Sequence, residues 1–381
     1  MTNNVLKAED QKPRRIPLLS QIVFFPVQLS FGIIHVILTL VDPTIEPTVS
    51  LFVWAGVFVL VPLMPAILFW MIGRLVEWVG FCSMSMFWTW IISPFCMLYV
   101  VNILLLDRTH TVVKNSGRRD PCHALEHASS SFIWAFPRYF ADYITCVPWS
   151  EDAKLPTDST NYVFGIHPHG IYCTSMLEMG NPNGGFAKLF PNVSGSKLSG
   201  LVATVIFKIP VVREMFLYLG YIDASRSVAS DALAAGQSIY LSVGGEEELL
   251  LTTPGKDIYV LKKRKGFIRL ALSYGATLVP VLGFGLNEAF TTYTALCPAR
   301  KWFQKRFGIA LPIFHGRWFT PLPHKVPIQV VIGEPIPTPK PGVVGEKPSE
   351  ELVNEFHARY IEAVQELHGK HAPKGRELII Q

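Results

Sequence analysis

The sequence predicts an α/β fold, a largely parallel sheet with flanking helices, preceded by N-terminal transmembrane hairpin helices. Two observations carry this expectation. Between Ile16 and Leu106 the only charged side chains are Asp42, Glu46, Arg74 and Glu77, a composition that no soluble domain could present to water. Beyond that stretch, short apolar runs alternate with helical patterns, as strands and crossover helices do.

The front of the chain divides into a cytosolic N-terminus, 1–15, and a hydrophobic region, 16–106. Three uncharged segments lie within it, Ile16–Val41, Val49–Ile72 and Trp78–Leu106, each longer than the roughly 20 residues that cross a bilayer core. The second, containing "LFVWAGVFVLVPLMPAILFWMI", has no amide, acid or base. The first contains Gln21, Pro26, Gln28 and His35, which suit a weak span or a helix lying in the interface. Lys7, Lys12, Arg14 and Arg15 precede the region, and Arg108, Lys114, Arg118 and Arg119 follow it. The positive-inside rule puts both clusters in the cytosol and requires an even number of crossings. The expected arrangement is a hairpin over 49–106 with 16–41 along the cytosolic interface; pairing the first two segments and leaving the third re-entrant is the alternative. No cleavable signal sequence is visible.

Residues 107–160 read as an irregular connector, and 161–381 as a cytosol-facing α/β domain. The expected strands are "NYVFGI" (161–166), "SIYLSVGG" (238–245), "TLVPVLGFG" (277–285) and "IQVVIGEPI" (328–336). The expected helices include "SVASDALAAG", "KGFIRLALSYG" and "SEELVNEFHARYIEAVQELHG". In the last of these, Leu352, Val353, Phe356, Tyr360, Ile361, Val364 and Leu367 recur at three- and four-residue spacing and mark a core-facing stripe. The Pro-rich "EPIPTPKPG" is expected to be a surface loop.

The net charge of +5 belongs to the part after residue 106, because the residues before it carry five cations and five acids. A basic, tethered domain fits an anionic membrane surface or a phosphorylated ligand. Nucleic acid is excluded as a partner, since neither aromatic-interleaved basic motifs nor zinc-finger spacings occur. Cys82, Cys96, Cys122, Cys146, Cys173 and Cys297 form no CxxC pair, which is consistent with a reduced, cytosol-facing domain.

The candidate chemistry sits in "NYVFGIHPHGIYCTS", residues 161–175. His167 and His169 follow an apolar strand, where open α/β sheets collect their active sites. Pro168 restricts the turn and Gly170 lets the backbone leave sharply. Metal binding lacks the necessary neighbouring ligands; the helix-spaced pair His123 and His127 in "CHALEH" is read first as an ordinary polar helix. No GxSxG elbow marks a serine nucleophile, and "GFGLNEAF" does not complete a dinucleotide fingerprint. An acid/base histidine is left.

"SVGGEEELL" then offers Gly244 and Gly245 with Glu246, Glu247 and Glu248. The plain reading is a helix start, where acids suit the macrodipole. The catalytic reading uses one carboxylate to orient an imidazole and the glycine N–H groups for an oxyanion. "LKKRKGFIR" (261–269), with Lys256 nearby, reads as a helix start against anionic lipid or as a clamp for CoA phosphates. "ARKWFQKRFG" (299–308) suits an interfacial amphipathic element.

Taken together these motifs resemble the type 2 diacylglycerol acyltransferase family, which also holds monoacylglycerol and wax-alcohol acyltransferases. The similarity runs from about Arg138 to the C-terminal helix. "HPHG" (167–170) carries it most specifically; Pro210 and Arg213, Ser225 and Arg226, and "VGGEEE" with Glu248 follow in order. "RKGFIRLALSYGATLVPVLGFGLNE" and "VVIGEPI" resemble the last two blocks. Two departures stand out: Tyr143 continues with Ile144 and Thr145 where the family commonly has Tyr-Phe-Pro, and Leu286 replaces the acid before Asn287.

The resemblance implies a glycerolipid-acyltransferase-like catalytic fold and an endoplasmic-reticulum or lipid-droplet enzyme that esterifies a lipid alcohol with acyl-CoA. Diacylglycerol is the first expectation and monoacylglycerol or a fatty alcohol the alternative. A membrane-shaping scaffold is the non-enzymatic rival, and homo-oligomerisation is left open. No metal or cofactor is expected, because an acyl thioester is already activated. Related glycerolipid acyltransferases place an acid five residues after the histidine, whereas here Tyr172 and Thr174 occupy those positions. The expectation is therefore that His169 is the base, Glu248 orients its ring from another strand, and His167 is structural or stabilises the oxyanion. Pro168, Gly170, Arg213, Arg226, Gly244, Gly245, Lys265 and Asn287 complete the expected substrate-binding set.

Overall fold

The computed structural model describes residues 97–98, 101, 144–155, 161–194, 198–209, 212–293, 295, 297–307, 310–340 and 347–381. The N-terminus, the expected interfacial helix and almost all of the 49–106 hairpin lie outside the described residues, as does most of the connector. Among the described residues no helix is long and apolar enough to cross a membrane.

In chain order the elements are β1 (Ile144–Val147), β2 (Tyr162–His167), α1 (Thr174–Gly180), α2 (Gly185–Leu189), β3 (Leu198–Val202), α3 (Val212–Tyr218), β4 (Ile222–Asp223), α4 (Arg226–Ala234) and β5 (Ser238–Ser242). Then come α5 (Gly245–Leu251), β6 (Asp257–Tyr259), α6 (Gly266–Tyr274), β7 (Thr277–Phe284), β8 (Thr291–Tyr293), α7 (Cys297–Phe307), β9 (Ile313–His315), β10 (Ile328–Ile332), α8 (Glu350–His371) and β11 (Leu378–Ile380). The main sheet has seven strands in the order β1-β10-β7-β2-β5-β3-β4. All neighbours are parallel except β10 and β7.

The mixed α/β architecture with a largely parallel sheet is as expected, and each expected strand is present. Every residue of β2 and β7 is buried, because central parallel strands are covered by helices on both faces and therefore read as continuous apolar runs. One face packs on α1, α2 and α3 through Met176, Met179, Phe186 and Leu217. The other packs on α4, α6 and α8 through Val228, Ile268, Val353, Tyr360 and Val364. The α8 stripe is core as its spacing implies, and Ser349 caps the helix by accepting from the Leu352 N–H at 3.2 Å.

One boundary needs correction. The stretch read as an irregular connector contains β1, whose Ile144–Val147 pairs in register with Ile328–Val331. A four-residue run that is only half-buried lacks the apolar continuity that flags a strand, so its pairing partner 184 positions away decides its state. The described part of the Pro-rich segment, 334–340, is a loop, pinned by the Leu278–Ile336 bridge.

Because β2, β5, β3, β4 and β7 run parallel, their carboxyl ends share one edge of the sheet. The HPHG turn, the Gly244–Glu248 segment, α3 with Arg213, the start of α4 with Arg226, and Asn287 beyond β7 all follow carboxyl ends at that edge. Lys265 precedes α6 there, since the Arg264 guanidinium reaches the Gly244 carbonyl at 3.4 Å.

Candidate active site

His167 is the last residue of β2, and strand alternation turns it to the α6/α8 face. It is fully buried, stacked on Tyr259 with ring centroids 5.3 Å apart. Its Nδ1 lies 3.2 Å from Glu248 Oε1, and its Nε2 faces the Tyr360 hydroxyl at 3.4 Å. Tyr360 also donates to the Gly165 carbonyl at 3.0 Å. Both ring nitrogens of His167 thus face protein groups, the Glu248 carboxylate on one side and the Tyr360 hydroxyl on the other.

Past the cis His167–Pro168 peptide the chain reverses. The His169 N–H donates to Glu248 Oε2 at 2.8 Å, and its Nδ1 stands 2.7 Å from the Gly170 carbonyl. A carbonyl only accepts, so Nδ1 carries the hydrogen and Nε2 carries the lone pair. The residue is half-buried. Desolvation by burial holds its pKa below the ordinary histidine value, against the opposing Gly170 hydrogen bond and the Glu248 charge. A neutral imidazole with a free Nε2 lone pair is the form that a general base requires.

Glu248 lies in the first turn of α5 and is 1% exposed. Besides His169 N–H and the His167 ring, it receives the Val260 N–H at 2.9 Å on Oε1. Three donors therefore converge on one buried carboxylate, which is what makes burying an acid tolerable. The paired glycines make this approach feasible. A Cβ on Gly244 would overlap the Glu248 carboxyl group, and Gly245 has φ +56, a conformation that favours glycine.

The expected contact between Glu248 and the His169 ring is not what the structure shows. Glu248 meets the ring of His167 and the main chain of His169. The reason is geometric: the turn at Pro168 carries the His169 side chain away while its N–H points back at the carboxylate. The plain reading of 246–248 as a helix start is met as well, since all three acids lie in the first turn of α5.

The remaining expected residues divide. Pro168 is buried, and Gly170 has φ +62 with Leu286 beneath it, so both shape the turn. Arg226 is exposed, whereas Arg213 is fully buried. Lys265 donates to Asn354 Oδ1 at 2.7 Å, and Arg264 and Arg269 pair with Glu247 and Glu350. Asn287 is 4% exposed and its amide donates to the Lys256 carbonyl at 2.8 Å and to Asp257 Oδ1 at 3.2 Å. Asn287 is thus engaged inside the protein, whereas the Lys265–Asn354 bond lies at the exposed surface.

Sequence reasoning missed Tyr259, Val260 and Tyr360. Tyr360 was readable as the hydroxyl-bearing member of an apolar stripe, but nothing local announces the other two. Burial pushes the Cys173 thiol, next to the turn, up to about 12, so it is not a nucleophile at neutral pH. Among the described residues no cluster of three or more His, Cys, Asp or Glu could hold a metal ion.

The family model described as diacylglycerol acyltransferase matches residues 96–377. Human 2-acylglycerol O-acyltransferase 3 is 36% identical over 296 residues, covering 73% of this chain and 80% of that protein. Diacylglycerol O-acyltransferase 2 of Xenopus tropicalis is 36% identical over 256 residues, covering 63% and 68%. Diacylglycerol O-acyltransferase 2A of Umbelopsis ramanniana is 34% identical over 289 residues, covering 72% and 76%. No solved structure matches.

Proposed function

The chain belongs to the diacylglycerol acyltransferase family and is an acyltransferase enzyme, and from that premise we propose that it esterifies diacylglycerol with acyl-CoA, His169 acting as base. The acceptor hydroxyl gives its proton to His169 Nε2 as its oxygen attacks the thioester carbonyl. The tetrahedral intermediate then breaks its C–S bond, and the proton on Nε2 neutralises the departing CoA thiolate. Glu248 acts through the main chain: by holding the His169 N–H at 2.8 Å and the His167 ring at 3.2 Å, it fixes the turn that aims Nε2. The chemistry needs neither a metal nor a redox group.

The observation that carries this reading is the Nδ1–H bond from His169 to the Gly170 carbonyl at 2.7 Å, which sets the tautomer and leaves Nε2 as the lone-pair nitrogen. General base catalysis contributes about 10² to 10⁴-fold, and His169→Ala is expected to lose at least about 10²-fold. Membranes carrying the enzyme, given labelled acyl-CoA with monoacylglycerol, diacylglycerol and fatty alcohol in parallel, test base and acceptor together. Near-normal turnover by a well-expressed His169→Ala protein overturns the role.

Monoacylglycerol is the second reading. It is favoured by the extent of the match to the human protein named 2-acylglycerol O-acyltransferase 3, of which 80% is covered. We place the catalytic domain on the cytosolic face of the endoplasmic reticulum, where lipid acceptor and acyl-CoA meet; the cation clusters flanking the hydrophobic region support this orientation.

A further inference from the structure

The acyl-transfer chemistry leaves one buried ionic cluster unused, and it lies directly behind the catalytic turn. Asp257, the first residue of β6, is 3% exposed. Its carboxylate receives His368 Nε2 at 2.9 Å from α8, Arg376 Nη1 at 3.1 Å from the segment before β11, and Asn287 Nδ2 at 3.2 Å from the loop after β7. Arg376 also pairs with Glu288, which accepts the Gly255 N–H at 3.1 Å. Elements separated by up to 119 positions thus converge on the start of one three-residue strand.

That strand carries the backing of the active site. Two residues after Asp257, Tyr259 stacks on His167; one residue further, the Val260 N–H donates to Glu248 at 2.9 Å. On its other side β6 is closed by β11, with Leu378 opposite Asp257 and the Gln381 N–H donating to the Tyr259 carbonyl at 2.8 Å. A buried carboxylate with three donors has one low-energy arrangement, so the cluster fixes where β6 sits. Through Val260 and Tyr259 it also fixes where Glu248 and His167 sit.

We propose that Asp257, Asn287, His368 and Arg376 form a positioning cluster for acyl transfer, holding β6 against the catalytic turn so that His169 stays aimed at the acceptor hydroxyl. The proposal rests on the reading of His169 as base. It gives Asn287 a role different from substrate contact, and it makes the segment around Arg376 part of the catalytic apparatus although none of its atoms need touch substrate.

The test is a double-mutant cycle on the full chain in membranes, with Asn287→Ala, Arg376→Gln and the double variant assayed against acyl-CoA and diacylglycerol. Misplacing a reacting group by about 1 Å costs on the order of 10²-fold. Each single variant is therefore expected to lower kcat by about 10- to 100-fold with both KM values essentially unchanged. The double variant should be no worse than the more damaging single, because residues acting as a unit are non-additive. Arg376→Lys, which keeps the charge, should recover part of kcat. If Arg376→Gln fails to accumulate, the same cycle is run with Arg376→Lys and Asn287→Ser. Unchanged kcat, multiplicative losses, or a raised KM with kcat retained each overturn the cluster. Should His169→Ala be inactive while these variants behave as wild type, only the cluster fails; an active His169→Ala protein removes the base assignment instead.

Discussion

Replacing Glu248 by glutamine keeps the shape of the side chain and removes its charge, which makes it the sharpest probe of how the histidine turn is held. Three donors converge on the carboxylate, at 2.8 Å from His169 N, 2.9 Å from Val260 N and 3.2 Å from His167 Nδ1. Glutamine offers one acceptor oxygen and one NH2 donor. With its oxygen toward Val260, the NH2 faces the His169 N–H; with the seating reversed, the NH2 faces the Val260 N–H and forces His167 into its other tautomer. Either way one main-chain donor is orphaned. A lost charge-assisted hydrogen bond costs about 1.5–3 kcal/mol, and weakening the two others to neutral strength adds roughly 1 kcal/mol each. Glu248 is only 1% exposed, so water does not compensate, and the loss of stability should be roughly 3–5 kcal/mol. For a domain of this size that lowers Tm by about 10 °C, and kcat should fall at least about tenfold because the turn is released. Thermal unfolding of the detergent-solubilised variant, with initial rates on labelled acyl-CoA, measures both. A Glu248→Gln protein with wild-type Tm and kcat within about twofold would refute the idea that this carboxylate holds the site.

Other outcomes follow from the same geometry. Desolvation lowers the His169 pKa, so the acid limb of the pH–rate profile should lie below about 6.5, since protonation removes the base; a limb above that value contradicts the assignment. The same depressed pKa makes stability decline as pH falls through about 6.5, because the unfolded chain takes up a proton that the folded turn rejects. Gly244→Ala places a methyl against the Glu248 carboxyl group and should cost at least about tenfold in kcat. Tyr360→Phe removes a hydroxyl bonded to the Gly165 carbonyl at 3.0 Å and facing His167 Nε2 at 3.4 Å, which denaturant unfolding should register as about 1–2 kcal/mol. Lys265→Ala, whose ammonium is engaged by Asn354, should leave the KM for acyl-CoA within about twofold, whereas Arg226→Ala at the exposed start of α4 should raise it.

What was legible in the chain was local. Apolar continuity marks β2 and β7 because both faces of a central strand are covered, and three- and four-residue spacing marks α8 because one stripe of a helix meets the core. The HPHG turn and the Gly-Gly-Glu helix start could be named for the same reason: each is a few consecutive residues whose types dictate a backbone path. The edge strand β1 escaped notice, since a half-buried strand owes its existence to a distant partner more than to its own pattern.

Which atoms meet was a different matter. His167 and His169 are two residues apart and chemically identical, yet one is sealed between Glu248, Tyr259 and Tyr360 while the other keeps a free ring nitrogen. That distinction depends on contacts spanning 79, 81 and 193 positions, and on a register in which β2 lies between β5 and β7. The sequence by itself determined that a histidine turn and an acid would stand at the carboxyl edge of a parallel sheet. Only the tertiary structure decided that the acid grips one histidine by its ring and the other by its main chain, because strand alternation and the turn at Pro168 set side-chain direction, and direction is fixed only when the elements pack.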